Sequence, residues 1–200
     1  LDTDTKKTAA VLAGGRSRRF GQDKAFFMIR GKPMVKIIID MLGSDFDEVI
    51  IAGGDMEKSQ EHGLVCYPDP VPDKGALGGI YNGLIHSNSQ FIFCCGCDMP
   101  LIKPDVIRVI LDNMSDEDVL MPVINNMRQP LHAVYKKSLL PLVERLVNSS
   151  DRFLPDLLER AKVRYLDEYH FSKLPGYDLS FVSFDDLNAV AQYRSHLEKL

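Results

Sequence analysis

The sequence predicts an α/β protein built on a mostly parallel sheet with some antiparallel strands, and three observations carry that reading. Short apolar runs alternate with longer helical patterns through the first two-thirds of the chain, the rhythm of strands joined by crossover helices. The runs are apolar throughout, as strands covered on both faces are. The 200 residues, 45% hydrophobic and 26% charged, suffice for a full core without disulfides or structural metal, so a single domain over residues 1–200 with roughly seven strands is expected.

The parallel strand candidates are Thr8–Leu12, Glu48–Ala52, 64–67 and 91–95. Met34, Ile37, Ile38, Met41 and Leu42 follow the three-four spacing of a helix stripe, opened by Pro33 at a first-turn position and closed by Gly43. Leu77, Ile80, Tyr81, Leu84 and Ile85 repeat that spacing, as do Ile107, Ile110, Leu111 and Met114 after Pro104. Leu139, Leu142, Val143, Leu146 and Val147 do so after Ser138, the expected cap of that helix. All four stripes read as core. Val119–Ile124 and 131–135 flank a polar turn at 125–129, which implies an antiparallel excursion. A short helix at 153–160, strands near Val163–Leu166 and at 181–184, and a last helix from Asp186 complete the chain.

Charge and cysteine usage narrow the function classes. With 24 Lys and Arg against 28 Asp and Glu, a net charge of −4 argues against a nucleic-acid partner bound through a broad basic face. No apolar run approaches the roughly 20 residues that cross a bilayer, and residues 1–7 lack an apolar signal core, so a cytoplasmic location without a membrane partner is expected. Cys94, Cys95 and Cys97 crowd one strand-like segment with Cys66 far upstream, which suits buried thiols better than structural zinc or a disulfide.

The most informative stretch is Leu12-Ala13-Gly14-Gly15-Arg16-Ser17-Arg18-Arg19-Phe20-Gly21-Gln22-Asp23-Lys24. It follows the first strand directly, and no helix stripe begins until Met34, a long excursion for a compact domain. Gly14, Gly15 and Gly21 permit positive φ and close approach of a ligand to backbone amides, while Arg16, Arg18, Arg19 and Lys24 face only Asp23. A backbone nest with cations reaching over it suits a polyphosphate; a solvated basic loop is the plainer alternative. The stretch is neither a P-loop, since Lys24 precedes Ala25, nor a dinucleotide fingerprint, since no Gly-x-Gly-x-x-Gly run is present.

These residues resemble a known family. Leu12-Ala13-Gly14-Gly15 followed by Ser17, Arg18, Gly21, Asp23 and Lys24 is similar to the signature of nucleotidyltransferases of glycosyltransferase-A-like fold, specifically the molybdenum cofactor guanylyltransferases. The likeness continues through Gly31-Lys32-Pro33, Asp69, Gly75-Ala76-Leu77-Gly78-Gly79-Ile80, Cys97-Asp98-Met99-Pro100 and Gln129-Pro130-Leu131-His132. It implies a three-layer, doubly wound sheet and transfer of GMP from GTP to the phosphate of molybdenum-loaded molybdopterin, with Mg²⁺ and release of pyrophosphate. Molybdoenzymes or other cofactor-biosynthesis proteins are the further partners it implies.

Carried over residue by residue, the resemblance places Leu12, Ala13, Gly14, Gly15, Lys24, Asp69, Gly75, Leu77, Gly78 and Asp98 at the nucleotide, with Arg18, Lys24 and Asp98 as the catalytic set. Asp98 lies just past the strand at 91–95, at the carboxyl edge where open α/β sheets bind ligands, and a carboxylate beside phosphate oxygens suits Mg²⁺. Asp69 follows the strand at 64–67 between two prolines; a turn aspartate bonding its own backbone is the alternative. Gly75 to Gly79 approaches the guanine in the family, and alone could be helix punctuation. Cytidylyl-transferring relatives carry Leu-Ala-Ala-Gly, so Gly14 points to GTP, a β-carbon there narrowing the base slot.

Arg128, Gln129, His132 and Arg152 are candidates for the pterin side, with His132 equally readable as a hydrogen-bonded strand histidine. Two stretches depart from the family: 181–186 reads Phe-Val-Ser-Phe-Asp-Asp where members carry two asparagines, and the second strand ends in Ala52-Gly53-Gly54-Asp55. Alternatives on the same residues are a cytidylyltransferase, a sugar-nucleotide-type transferase, or a non-catalytic module delivering GTP or pterin.

Overall fold

The computed structural model describes residues 6–14, 23–150 and 153–199. The first strand, β1 (Thr8–Leu12), is buried along its whole length. After it, β2 (Met28–Ile29) and β3 (Lys32–Pro33) form a small antiparallel hairpin, turned by Arg30 and Gly31 at φ 50° and 81°. Pro33 caps α1 (Met34–Leu42) from outside rather than standing in its first turn, and Gly43 closes it. The chain continues through β4 (Glu48–Ala52), α2 (Met56–Glu61), β5 (Cys66–Tyr67), α3 (Gly75–His86), β6 (Phe91–Gly96) and α4 (Pro104–Asp112).

The antiparallel excursion follows as β7 (Val119–Ile124), β8 (Met127–Arg128) and β9 (His132–Lys136). Asn125 and Asn126 take φ of 49° and 59° between β7 and β8, the left-handed pair that tight hairpins demand and asparagine tolerates. Then come α5 (Leu140–Val147), α6 (Leu154–Leu158), β10 (Val163–Leu166), α7 (Leu187–Gln192) and α8 (Arg194–Leu197).

The main sheet runs β10-β7-β9-β6-β1-β4-β5, with β8 attached to β7. Along this path only β9 is reversed, pairing antiparallel with β6 and β7. Alternation along each strand feeds two cores. Ala9, Val11, Ile51, Phe93 and Cys95 pack with α1, α4 and the C-terminal segment, whereas Ala10, Leu12, Ile50, Ile92 and Cys94 pack with α3, α5 and α6. The architecture is therefore three-layered and doubly wound. The buried thiols of Cys94 and Cys95 face opposite cores.

Two expected elements differ. Ser138 lies inside a 3-10 turn, Lys137–Leu139, and α5 opens beyond it at Leu140 with Pro141 in the first turn and no side-chain cap. Residues 181–184 form no strand: the 3-10 turn Tyr177–Phe181 leads into extended chain, and the Phe184 N–H donates to the carbonyl of Asp98 at 2.8 Å. The alternating apolar residues there bury individually, Phe181 against Phe171 and Phe184 against Tyr193. Their backbone is thus tied to the loop after β6 and not to a sheet edge.

Candidate active site

β1 has β4 on one side and β6 on the other, so the sheet winds outward in both directions from it. Such a reversal opens a crevice at the carboxyl ends of the strands. Leu12 is opposite Ala52 on one flank and Gly96 on the other. The ladder extends one step further on both sides, Ala13 N–H donating to Ala52 and Cys97 N–H donating to Leu12. Leu12, Ala13, Gly14, Lys24, Gly75 and Asp98 line one pocket at this edge, with Ala76, Gly79, Gly96, Cys97 and Leu131.

Missing side chains bring α3 to that edge. A β-carbon on Gly79 would stand 2.7 Å from Leu12 Cγ, and one on Gly83 would stand 2.9 Å from both Ala10 Cβ and Ile92 Cδ1. The helix therefore rides close on β1 and β6 and aims its first turn into the pocket, where free N–H groups and the helix dipole favour an anion. Residues 75, 76 and 79 share the face turned to the pocket. Leu77 and Gly78 do not line it: the Leu77 side chain is wholly inside the core, and the Gly78 α-carbon faces Lys74.

At the opposite wall Asp23 caps a 3-10 turn, Lys24–Phe26, accepting from Ala25 N–H at 3.0 Å. The turn points Lys24 across the crevice. Its Nζ donates to Asp98 Oδ2 at 3.1 Å and to Asp185 Oδ1 at 2.8 Å. Burial works to lower the Lys24 pKa, but the hydrogen bond to Asp185 and the charge of Asp98 outweigh it, and the net shift is upward. The ammonium is thus fully charged at neutral pH. Lys24 and Asp98 are 16% and 20% exposed, Asp185 68%, so the third member stands at the solvent side. Gly96 makes room for this arrangement, since a β-carbon there would lie 2.5 Å from Asp98 Oδ1. Burial, and after it the charge of Asp98, raises the Cys97 thiol well above its usual range.

Asp69 does not itself line this pocket; it packs behind Gly14, which does. Its carboxylate rests on the chain just past β1 and β4: a β-carbon on Gly14 would stand 2.3 Å from Asp69 Oδ2, and one on Gly53, at φ 80°, 2.8 Å from the same atom. Gly14 is therefore required by the seat of Asp69, a more local reason than the width of a base slot. Burial raises the Asp69 pKa, and the N–H donated by Asn82 at 3.2 Å works against that shift.

Gly15, Arg16, Arg18, Arg19 and Arg152 lie outside the described residues. His132 is a core histidine: fully buried, edge-on to Phe93 at 5.2 Å, with Nε2 3.4 Å from Ser180 Oγ and its pKa lowered by burial to about 3. The structure thus removes it from the pterin side. Arg128 stacks over Tyr165 at 5.1 Å beside a second depression, and Gln129 turns back onto the Met127 carbonyl. Neither lines the Lys24 pocket. Asp55, in the departing 52–55 stretch, caps α2, and Asp186 caps α7. Asp185 and Asn82 were not among the expected site residues. The replaced asparagine pointed to position 185, but its partner, 161 residues away, was not readable from the sequence.

A switch-point crevice that sets a shared lysine and two carboxylates opposite a helix N-terminus defines an α/β enzyme that handles phosphate groups, as nucleotidyltransferases do. The chain belongs to the family described as the MobA-like NTP transferase domain, whose profile matches residues 9–165. It is 31% identical over 196 residues to a probable molybdenum cofactor guanylyltransferase of Clostridium perfringens, covering 97% of this chain and 98% of that one. It is 31% identical over 194 residues to the molybdenum cofactor guanylyltransferase of Desulfosudis oleivorans, covering 96% and 93%. The solved molybdopterin-guanine dinucleotide biosynthesis protein A of Archaeoglobus fulgidus shares the fold, with a TM-score of 0.81 at 23% identity over 96% of this chain and 100% of that one.

Proposed function

We propose that the protein transfers GMP from GTP to the phosphate of molybdenum-loaded molybdopterin, forming the guanine dinucleotide form of the cofactor. An acceptor phosphate oxygen attacks the α-phosphorus of GTP, the α–β phosphoanhydride bond breaks, and pyrophosphate leaves with the electron pair. The observation that carries this reading is the Lys24 ammonium held between Asp98 and Asp185 at the mouth of β1 and β6. Such transfer needs positioning and charge stabilisation and no protein nucleophile.

The donor set fits a hard divalent cation, because two carboxylates already converge on a positive charge, and Mg²⁺ takes one or two carboxylates plus phosphate oxygens. Asp98 and Asp185 would hold it, and when bound it would supply charge neutralisation to the phosphates. Lys24, released from the carboxylates, pairs with the triphosphate alongside Arg18, while Gly14, Gly15 and the first turn of α3 offer backbone N–H groups. Asp69 lies toward the nucleoside end. The reaction is assigned to a single nucleotidyltransferase domain spanning residues 1–200, working in the cytoplasm. Among the described residues no helix is long and apolar enough to cross a membrane.

Pyrophosphate release from GTP, Mg²⁺ and molybdenum-loaded molybdopterin tests the proposal. Release above background is expected with GTP and not with CTP or with sugar 1-phosphates as acceptors. Folded protein that releases none contradicts it, and release with CTP alone makes the enzyme a cytidylyltransferase. GTP binding without any turnover makes it a delivery module.

A further inference from the structure

The middle of α3 carries a side chain that an apolar stripe does not account for. Asn82 is fully buried, although asparagine is a poor helix former and a buried amide costs free energy unless its hydrogen bonds are made. They are made at one place. Its Nδ2 shares its two N–H donors among the Tyr67 carbonyl at 2.8 Å, the Pro68 carbonyl at 3.1 Å and Asp69 Oδ1 at 3.2 Å, three successive residues at the end of β5.

The other end of the amide is fixed as well. His86, one turn further along α3, stacks on the Tyr67 ring at 3.8 Å and places Nδ1 2.9 Å from Asn82 Oδ1 and 3.0 Å from the Asn82 carbonyl. Both neighbours are oxygens, so Nδ1 carries the proton and donates. The reversed amide would turn Oδ1 toward three oxygens and NH₂ toward an N–H, so those three oxygens and His86 together select the orientation in which Asn82 reaches Asp69. With Oδ1 held by Asn82, Oδ2 is the Asp69 oxygen turned toward Gly14 at the end of β1.

We infer that Asn82, oriented by His86, is a positioning residue for nucleotide binding: it fixes the Asp69 carboxylate over Gly14 and thereby sets the affinity of the site for GTP. This rests on the proposed place of Asp69 at the nucleotide. Asn82 is not among the residues that line the pocket, and its side chain acts on the site through the Asp69 carboxylate.

GTP titrations on the full chain test this in a double-mutant cycle, with fold checked by circular dichroism. Asn82→Ala is expected to weaken GTP binding roughly tenfold, the scale of one hydrogen bond to a charged group, and to raise KM with kcat near wild type. In an Asp69→Ala background the same substitution is expected to change affinity by less than about twofold, because coupled residues are non-additive. A purely structural asparagine would lower the Tm and leave this coupling absent. His86→Phe keeps the ring on Tyr67, removes the Nδ1 donor and carries the test if Asn82→Ala does not fold; a roughly threefold weakening is expected. Wild-type affinity in folded Asn82→Ala or His86→Phe, or an Asn82→Ala loss of full size without Asp69, overturns the inference alone. Wild-type affinity in Asp69→Ala overturns the placement of Asp69 at the nucleotide, and the inference with it.

Discussion

Asp69 and Asp98 occupy equivalent places and live in opposite surroundings. Each follows a parallel strand at the carboxyl edge, and each folds back against a glycine that no larger residue could replace without moving it, Gly14 for one and Gly96 for the other. Asp98 is paired with the Lys24 ammonium, which it shares with Asp185. Asp69 has the neutral amide of Asn82, and burial raises its pKa. One sheet edge thus holds a carboxylate paired with a cation and another paired with a neutral amide. The strand end supplies the position, and the neighbours supply the chemistry.

The largest way to break the comparison is at the cationic end. Asp98→Ala is expected to lower kcat by roughly a hundredfold to a thousandfold, as loss of a principal electrostatic group does, measured as pyrophosphate release at saturating GTP. Lys24→Met follows with roughly a tenfold to hundredfold loss in the same assay, because in the proposed reaction its charge reaches the transferring phosphates. A kcat within twofold of wild type for either variant would place the chemistry elsewhere.

At the neutral end the effects fall on affinity and stability. Gly14→Ala forces a β-carbon to within 2.3 Å of Asp69 Oδ2. It should cost about 1–3 kcal/mol in denaturant unfolding, the usual penalty of overpacking, and weaken GTP binding. Unchanged stability would mean that Asp69 is not seated on Gly14.

The smallest effects are in pH. The folded pKa of Asp69 is raised, so its contribution to stability is fully present below the ordinary carboxylate value of about 3.9 and is lost as pH rises through the folded value. Asp69→Asn lacks that loss, so its Tm should gain on wild type as pH goes from acid to neutral. Lys24 is also raised, and its contribution is fully present below the ordinary lysine value of about 10.4 and fades as pH rises through the folded value. The Tm advantage of wild type over Lys24→Met should therefore shrink as pH rises into strong alkali. Thermal melts across pH separate the two ends.

The core strands and the helices α1, α3 and α4 were legible because burial on both faces and a three-four stripe leave strong patterns. The pattern fails where structure is set by single contacts. The hairpin β2–β3 has two residues per strand, and α2, Met-Glu-Lys-Ser-Gln-Glu, has no stripe and rests on the Asp55 cap. Phe181 to Phe184 alternates like a strand, yet Phe181 ends a 3-10 turn and the chain after it is tied to Asp98 and not to a sheet edge. In the site, the sequence brought Gly14, Lys24, Asp69 and Asp98 forward through motif and strand end. The Lys24–Asp185 pair joins residues 161 apart, and the Asn82 amide hides inside an apolar helix, so neither leaves a local signal. His132 sits in a motif that left a pterin contact and a strand histidine equally open, and its neighbours, aromatic rings and the Ser180 hydroxyl, decide for the latter.

The division of labour between the two carboxylates is tested most directly by GTP affinity with and without Mg²⁺ in Asp69→Ala and Asp98→Ala. Asp69→Ala is expected to weaken GTP binding under both conditions while keeping the gain that Mg²⁺ gives. Asp98→Ala is expected to bind GTP without Mg²⁺ at least as well as wild type and to lose that gain. Identical behaviour of the two variants, or a Mg²⁺ gain that survives in Asp98→Ala and vanishes in Asp69→Ala, would contradict the account.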